Sequence, residues 1–212
     1  MMLHEKYRPK SFDEVLGQDK AVFKIRKILE RSWGGKAWWV SGPPGVGKTT
    51  CARLIAAQGA DISVFEWKHA TELTAPIMQR IEDGMGYYGM GKGGRAYIVN
   101  EADTLREDAI KDFLGILEHL PEHCIIVFTT TKEGQKDLFA DHTRAGQLLS
   151  RCIQIALSTY GLAQSFAGRA QEIAQAEGLN GKPLAAYTRL INEKRGNLRD
   201  VLEAIEACEM LL

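Results

Sequence analysis

The sequence predicts an α/β protein in which a parallel sheet is sandwiched by helices and followed by a small all-helical domain. Short apolar runs alternate with helical segments through the first two thirds of the chain, as in a parallel sheet covered on both faces. A glycine-rich loop joins the first run to the helix after it. Beyond residue 158 apolar residues recur only at helical spacing. We therefore expect a sheet domain at 1–157 and a helical lid at 158–212.

The predicted strands are continuous apolar runs, which suit strands buried on both faces. They lie at 37–41, 62–67, 95–99, 124–129 and 153–157. Asp19 can cap a first helix, in which Val22, Ile25 and Leu29 share one face. Further helices are predicted at 48–58, 73–83 and 107–120, with three more after residue 158. Six glycines among residues 84–94 predict a mobile surface loop.

Bulk composition limits the possible partners and compartments. Lys plus Arg total 27 and Asp plus Glu total 27, so any nucleic-acid contact must come from a local patch. The four cysteines lack the spacing of a zinc site. We expect no signal peptide, because MMLHEKYRPK at residues 1–10 lacks an apolar core, and no apolar run of the sequence is long enough to span a membrane. We expect no membrane partner and a cytoplasmic protein, encoded by a cell or by a phage or virus that acts in its host.

A phosphate-binding motif follows the first predicted strand. The segment SGPPGVGKTT, residues 41–50, fits G-x-x-x-x-G-K-[ST] between a strand and a helix. Glycines let the backbone amides point at a phosphate chain, and the next helix adds its positive dipole end. Lys48 is expected to reach the phosphates, and the Thr49 hydroxyl to ligate Mg²⁺. The nucleotide-binding residues predicted here are Pro43, Pro44, Gly45, Val46, Gly47, Lys48, Thr49 and Thr50.

Asn100 and Glu101 follow the strand 95–99. ATPases of this layout end the strand expected beside the phosphate loop in Asp-Glu: the Asp holds Mg²⁺ through water, and the Glu polarises the attacking water. Glu101 suits the second role, whereas Asn100 is an uncharged metal contact or merely satisfies the strand end. Loss of a charge about 4 Å from Mg²⁺ removes roughly 8 kcal/mol of raw attraction at an effective dielectric of about 20. We expect weaker Mg²⁺ affinity, slower hydrolysis and retained nucleotide binding, and we expect Asn100→Asp to raise turnover.

Four segments between about residue 4 and residue 210 carry a family resemblance. They are EKYRPKSFDEVLGQDKAV at 5–22, DAIKDFLGILEHLPEHCIIVFTT at 108–130, LSRC at 149–152 and GNLRDVLEAI at 196–205. The first resembles the N-terminal box of clamp-loader AAA+ ATPases, namely replication factor C small subunits and the bacterial gamma/tau subunit. The others are similar to their central helix and strand, their Ser-Arg-Cys motif and their second sensor helix. RuvB-type motors share the phosphate loop and part of the first box.

The resemblance implies roles for matched positions. Thr131, or with less support Thr130, is implied as the first sensor, and Arg199 as the second sensor on the lid. Arg151 is implied as the arginine finger of a neighbouring subunit's site, the alternative being a surface salt bridge. The residues implied to lie against adenine and ribose are Tyr7, Arg8, Pro9, Val15, Leu16, Gly17 and Gln18.

Two further departures from the family pattern concern partners. Leu114 and Gly115 stand where family members often carry basic residues that face DNA, so we expect that contact to be weakened. Family members also continue into a helical collar that holds the ring together, whereas this sequence ends at Leu212. The expectation is weak self-assembly, a partner that supplies the ring, or a shortened chain.

The leading hypothesis is an ATP-dependent clamp-loader subunit or a related switch, with ATP and Mg²⁺ as cofactors. Its expected partners are other AAA+ clamp-loader subunits, in a homo- or hetero-oligomer, a sliding clamp and primer–template DNA. The basic first helix would supply phosphate contacts. The alternative is a weakly hydrolysing or non-hydrolysing assembly subunit, which Asn100 favours. A second alternative is a RuvB-like DNA motor.

Overall fold

The computed structural model describes residues 1–131 and 144–211, and five strands of this part of the chain form one parallel sheet. The strands are β1 (Lys36–Ser41), β2 (Val64–Trp67), β3 (Arg95–Val99), β4 (Cys124–Thr130) and β5 (Ile153–Ala156). Their order across the sheet is β2-β3-β4-β1-β5, and every neighbouring pair is parallel. The predicted parallel α/β architecture is confirmed.

One strand separates the strand that leads into the phosphate loop from the strand that ends before Asn100. β4 lies between β1 and β3, and Phe128 is paired with Trp39 of β1 on one side and with Val99 of β3 on the other. Both β3 and β4 are continuous apolar runs, so their composition could not show which one is adjacent to β1.

The helices occupy most of the remaining described chain. They are α1 (Leu3–Lys6), α2 (Asp19–Leu29), α3 (Lys48–Ala57), α4 (Ala75–Met85), α5 (Glu107–Glu118), α6 (Arg144–Ser150), α7 (Ala163–Ala176), α8 (Leu184–Glu193) and α9 (Leu198–Glu206). The short helices α1 and α6 were not predicted, because four and seven residues give too few turns for a helical period to show. None of these helices has the length and apolar character needed to cross a membrane.

The chain divides into two compact units, and the larger one contains the sheet. It consists of Phe23–Gly42 and Lys48–Ala156. Alternate strand residues pack with α4, α5 and α6 on one face, where the ring of Phe113 meets that of Phe128 edge-on with centroids 5.0 Å apart. In β1, β3 and β4 the intervening residues, including Trp38 and Ile98, are also buried. These three central strands are therefore covered on both faces, which explains their continuous apolar runs.

The smaller unit is helical and includes the N-terminus. It consists of Met1–Val22, Pro43–Gly47 and the chain from Leu157 onward. Leu3 of α1 is buried in one core with residues of α7, α8 and α9, and its amide donates to the Glu206 carboxylate at 2.9 Å. The sequence grouped residues 1–22 with the sheet, whereas this apolar contact places them in the unit of the C-terminal helices.

The glycine-rich segment 84–94 is more ordered than its composition suggests. Its first two residues complete α4. The following loop is hydrogen-bonded to the turn before β2: the amide of Lys92 donates to the Asp61 carboxylate, and that of Gly94 to the carbonyl of Gly59, both at 3.1 Å. These contacts join two stretches that are distant in sequence, so the glycine count alone could not reveal them.

Candidate functional site

The loop between β1 and α3 has backbone angles that favour glycine. Gly45 has a φ of 74° and Gly47 a φ of 100°. A Cβ atom added at Gly45 would lie 1.7 Å from Oδ1 of Asn197, whereas a Cβ at Gly47 would meet no atom within 4 Å. Gly45 is thus fixed by both conformation and packing. Gly47 keeps one side of the loop open to an approaching group.

Lys48 begins α3 and brings a positive charge to this loop. The residue is buried, with 9% of its surface exposed, and its Nζ donates to the carbonyl oxygen of Gly42 at 2.8 Å. The ammonium thus lies against the loop backbone at the amino end of α3, where the helix dipole is also positive. A phosphate group fits this combination of ammonium, helix terminus and glycine backbone.

Asn100 connects the first turn of α3 with the end of β3. Its carbonyl oxygen accepts hydrogen bonds from the hydroxyls of Thr49 at 3.0 Å and Thr129 at 2.8 Å. Its amide nitrogen donates to Glu66 and to the carbonyl of Trp67, and Arg53 pairs with the Glu66 carboxylate. We call this group the Asn100 cluster, and it comprises Arg53, Thr49, Glu66, Asn100 and Thr129.

Glu101 is the next residue, and its surroundings are different. Its φ of 55° is left-handed, a conformation that costs energy for a residue with a side chain and recurs at functional sites. Half of its side chain is exposed, and Oε2 lies 2.6 Å from Nδ1 of His69. The hydrogen bond and the charge of Glu101 raise the pKa of His69. When protonated, His69 forms an ion pair with the carboxylate that is expected from the sequence to activate water.

The threonines at the end of β4 separate into buried and exposed residues. Thr129 belongs to the Asn100 cluster, and buried Thr130 donates its hydroxyl to Asp103 at 2.8 Å. Thr131, the expected first sensor, is the exposed residue just after the strand. Within the described part of the chain no hydrogen bond of its hydroxyl is seen.

The two arginines implied by the family resemblance lie in different units. Arg151 follows α6 and forms an ion pair with Glu118 of α5 at 2.9 Å. Arg199 is exposed in the first turn of α9, and its guanidinium has no ion-pair partner among the described residues. The N-cap of that helix is Asn197, the residue that packs against Gly45. Within the smaller unit, the start of α9 therefore lies beside the loop residue Gly45.

The N-terminal residues predicted to contact adenine and ribose pack mainly with the helical unit. The Tyr7 hydroxyl hydrogen-bonds to Glu177 at the end of α7. Gln18 is buried, and its side-chain amide donates to the carbonyl of Ser158 at 2.8 Å and accepts from the amide of Ser158. Gly17 has a φ of 68° and packs against Leu162.

Four residues of the set predicted to contact adenine and ribose remain. Arg8 forms an ion pair with Glu5. Pro9 and Val15 are partly buried, whereas Leu16 is exposed. The whole N-terminal set belongs to the same compact unit as loop residues 43–47 and Arg199. The larger unit contains Lys48, Thr49, Thr50, Asn100, Glu101, Thr131 and Arg151.

Sequence reasoning missed Glu66, His69 and Thr129. One signal was available: the isolated charge of Glu66 in an otherwise apolar strand. In the parallel register Trp67 pairs with Val99, so the ends of β2 and β3 are adjacent. Without the registers of β2 and β4 on β3, Glu66, His69 and Thr129 could not be assigned to the neighbourhood of Asn100 and Glu101.

The family description "ATPase family associated with various cellular activities (AAA)" matches residues 39–154, more than half of the chain. The chain belongs to the AAA family. The match begins in β1 and ends in β5, so it contains the phosphate loop, the Asn100 cluster and Glu101.

Curated relatives of this AAA protein are subunits of DNA polymerase III and of replication factor C. It is 31% identical over 157 residues to the DNA polymerase III subunit gamma/tau of Mycobacterium tuberculosis, covering 62% of this chain and 27% of that protein. It is 24% identical to the subunit tau of Bacillus subtilis, covering 96% of this chain and 38% of the relative. With the replication factor C large subunit of Methanothrix thermoacetophila the identity is 28%, covering 96% and 43%. The chain thus spans less than half of each relative.

Solved structures show the same fold at lower identity. The RuvB Holliday junction branch migration motor of Thermotoga maritima has a TM-score of 0.71 at 21% identity, covering 94% of this chain and 64% of that chain. A DNA polymerase III gamma subunit-related protein from the same organism has a TM-score of 0.59 at 16% identity, covering 87% and 57%. At these identities the likeness establishes the fold alone. The sequence relatives are what connect this AAA protein to clamp-loader subunits.

Proposed function

We propose that this AAA protein binds ATP with Mg²⁺ and acts as a clamp-loader-type subunit, in which nucleotide state controls assembly on DNA. The observation that carries the proposal is the buried Lys48 ammonium on an open glycine loop, linked through Thr49 to the end of β3. Sequence relatives in DNA polymerase III and replication factor C support the clamp-loader branch. The proposed partners are further AAA+ subunits, a sliding clamp and primer–template DNA.

The residues present fit both cofactors. The loop glycines and Lys48 would hold the triphosphate, and the Thr49 hydroxyl is an oxygen donor of the kind that Mg²⁺ accepts. The carbonyl oxygen of Asn100 accepts a hydrogen bond from that hydroxyl at 3.0 Å and another from Thr129 at 2.8 Å, so it would act on Mg²⁺ through the Thr49 hydroxyl and not through the water contact expected from the sequence. Bound Mg²⁺ would neutralise phosphate charge, while Glu101, once released from His69, orients the attacking water.

A second candidate function is ATP-dependent assembly with little or no hydrolysis. The specific observation in its favour is that Glu101 is engaged by His69 at 2.6 Å and Asn100 has no charge. In this form ATP binding alone switches subunit contacts, and a partner's site performs any hydrolysis. Arg151, here paired with Glu118, is the residue proposed to act in the neighbouring subunit.

The deciding experiment measures ATP binding and ATP hydrolysis on protein sized by light scattering, with and without primed DNA and a sliding clamp. Clamp-loader activity predicts ATP binding and hydrolysis that primed DNA stimulates. ATP binding without stimulated hydrolysis would favour the assembly function. Stimulation by a four-way junction but not by primed DNA would favour a branch-migration motor, and failure to bind ATP would overturn the proposal.

Arg151→Ala tests the proposed assembly. The variant should bind ATP as the unaltered protein does, and it should reduce hydrolysis only where light scattering shows an oligomer. Glu118→Gln is the matched control, because it removes the ion pair and keeps the arginine. Equal loss of hydrolysis in monomer and oligomer would contradict a role in the neighbouring site.

A further inference from the structure

All the polar groups of the Asn100 side chain are engaged, and the pattern of bonds requires an amide. The carbonyl oxygen accepts from two hydroxyls, those of Thr49 and Thr129. The nitrogen donates to Oε1 of Glu66 and to the carbonyl oxygen of Trp67, each at 3.0 Å. Trp67 also accepts the backbone amide of Asn100 at 3.1 Å. Carboxylates and carbonyls accept but cannot donate, so only a donor suits that side.

An aspartate at position 100 would meet those same two acceptors. One carboxylate oxygen would replace Nδ2 and face Oε1 of Glu66 and the carbonyl of Trp67 at close range. Because Asn100 is buried, with 8% of its surface exposed, water cannot fully screen that contact. On this geometry we expect Asn100→Asp by itself to destabilise the site, in contrast to the rise in turnover expected from the sequence.

Glu66 holds the negative charge that position 100 lacks. Its carboxylate accepts from Asn100 on one side and from Nε of Arg53 at 2.8 Å on the other. The side chains of Arg53 and Glu66 are 41% and 21% exposed, and ion pairs this accessible contribute little to stability. A hydrogen bond from an amide to a carboxylate polarises the amide and makes its carbonyl oxygen a stronger acceptor.

We propose that Glu66 is a positioning residue for the phosphate site, which acts through Asn100 to orient and polarise the Thr49 hydroxyl. Glu66 and Asn100 together replace a single strand-end aspartate, with the charge moved one strand further from the loop. The Thr49 hydroxyl donates its hydrogen bond to the Asn100 carbonyl oxygen, so the lone pairs of the hydroxyl oxygen remain available to Mg²⁺. The role of the Thr49 hydroxyl toward Mg²⁺ rests on the proposed function, whereas the interdependence of Glu66 and Asn100 does not.

The first experiment requires neither nucleotide nor metal. Thermal unfolding is compared for Glu66→Gln, Asn100→Asp and the double variant Asn100→Asp/Glu66→Gln. Asn100→Asp alone should lower Tm by roughly 4–10 °C. The buried Nδ2 donor would be replaced by an oxygen acceptor facing two other acceptors, the Glu66 carboxylate and the Trp67 carbonyl. The double variant should recover most of that loss, since the amide introduced by Glu66→Gln can donate to the new carboxylate and the net charge is unchanged.

The matched control is Glu82→Gln on the exposed side of α4, alone and combined with Asn100→Asp. It removes the same charge at a distance and should recover nothing. An unchanged Tm for Asn100→Asp, or equal recovery by Glu82→Gln, would overturn the inference. If Asn100→Asp fails to fold, folding of the Glu66→Gln double variant, but not of the Glu82→Gln double variant, is the supporting result.

The second experiment measures the Mg²⁺ concentration at which binding of a fluorescent ATP analogue is half-maximal. Glu66→Gln should raise that Mg²⁺ concentration by about threefold to tenfold and leave the affinity for the analogue in EDTA unchanged. The double variant Asn100→Asp/Glu66→Gln, which moves the charge to position 100, should lower the Mg²⁺ concentration below that of the unaltered protein. The same Mg²⁺ dependence in Glu66→Gln and Glu82→Gln would overturn the positioning role. If the unaltered protein binds no analogue, the proposed function fails, while the unfolding experiment still decides the Glu66–Asn100 relation.

Discussion

The Asn100 cluster and the Glu101–His69 pair begin at consecutive residues, yet they differ in burial and in the number of their partners. Asn100 is buried and makes four side-chain hydrogen bonds to groups on α3, β2 and β4. Glu101 is half exposed, has a left-handed backbone and pairs with one side chain, itself exposed. A fully satisfied buried network fixes one arrangement, whereas an exposed pair exchanges partners at little cost. Under the proposed function we therefore expect the Asn100 cluster to affect nucleotide binding and the Glu101–His69 pair to affect turnover.

Lys48→Ala has the largest expected effect, because buried Lys48 lies next to Thr49 of the Asn100 cluster and is proposed to bind the phosphates. Removing the ammonium should weaken ATP binding by roughly 100-fold or more, because a buried charge contact with the phosphates is lost. Binding is measured by calorimetry or with a fluorescent analogue. Lys111→Ala, an exposed lysine on α5, is the control and should bind normally. Retained affinity in Lys48→Ala would refute the assignment of the phosphate loop.

Glu101→Gln is the corresponding test of the Glu101–His69 pair. Turnover should fall by about 100-fold, since the base that orients water is lost, while ATP affinity stays within about twofold. Steady-state phosphate release and analogue binding are measured on the same preparation. If ATP binding fell as much as turnover, the proposed difference in role between the Asn100 cluster and the Glu101–His69 pair would be wrong. Unaltered turnover would favour hydrolysis by another residue or a partner's site.

Asn100→Ala should lower stability without involving any ligand. The substitution leaves the two threonine hydroxyls, Glu66 and the Trp67 carbonyl without their shared partner, which should cost about 1–3 kcal/mol of unfolding free energy. Urea unfolding measures this change, and Asn192→Ala on the exposed surface of α8 serves as the comparison. A change below about 0.5 kcal/mol would mean that the cluster does not hold the structure together.

His69→Gln should produce the smallest effect, a change in pH dependence. Because Glu101 raises the pKa of His69, the charged pair is fully formed below the ordinary histidine pKa and is lost as pH rises through the raised value. If the pair withholds Glu101, turnover of the unaltered protein should rise by a few fold across that interval. His69→Gln should flatten the rise, and His119→Gln should preserve it. An identical pH profile in His69→Gln would show that the pair does not restrain Glu101.

Much of the fold followed from local pattern. The apolar runs located all five described strands to within two residues, because β1, β3 and β4 are buried on both faces and the edge strands β2 and β5 each have one polar residue among apolar ones. The phosphate motif located the loop, and its glycines have the expected unusual backbone. The sequence also singled out Asn100, which stands where an aspartate is expected after this strand.

The sequence could not show which strands and helices lie next to one another in the fold. Strand order placed β4 between β1 and β3 and thereby brought Thr129 to Asn100. The register of β2 on β3 brought Glu66 and His69 to the same strand end, although each lies more than thirty residues away in sequence. Packing of Leu3 joined the N-terminal segment to the C-terminal helices. Residue types and spacing determine which local structures form, but partners distant in sequence are selected by the packing of whole elements, and only the tertiary structure records that selection.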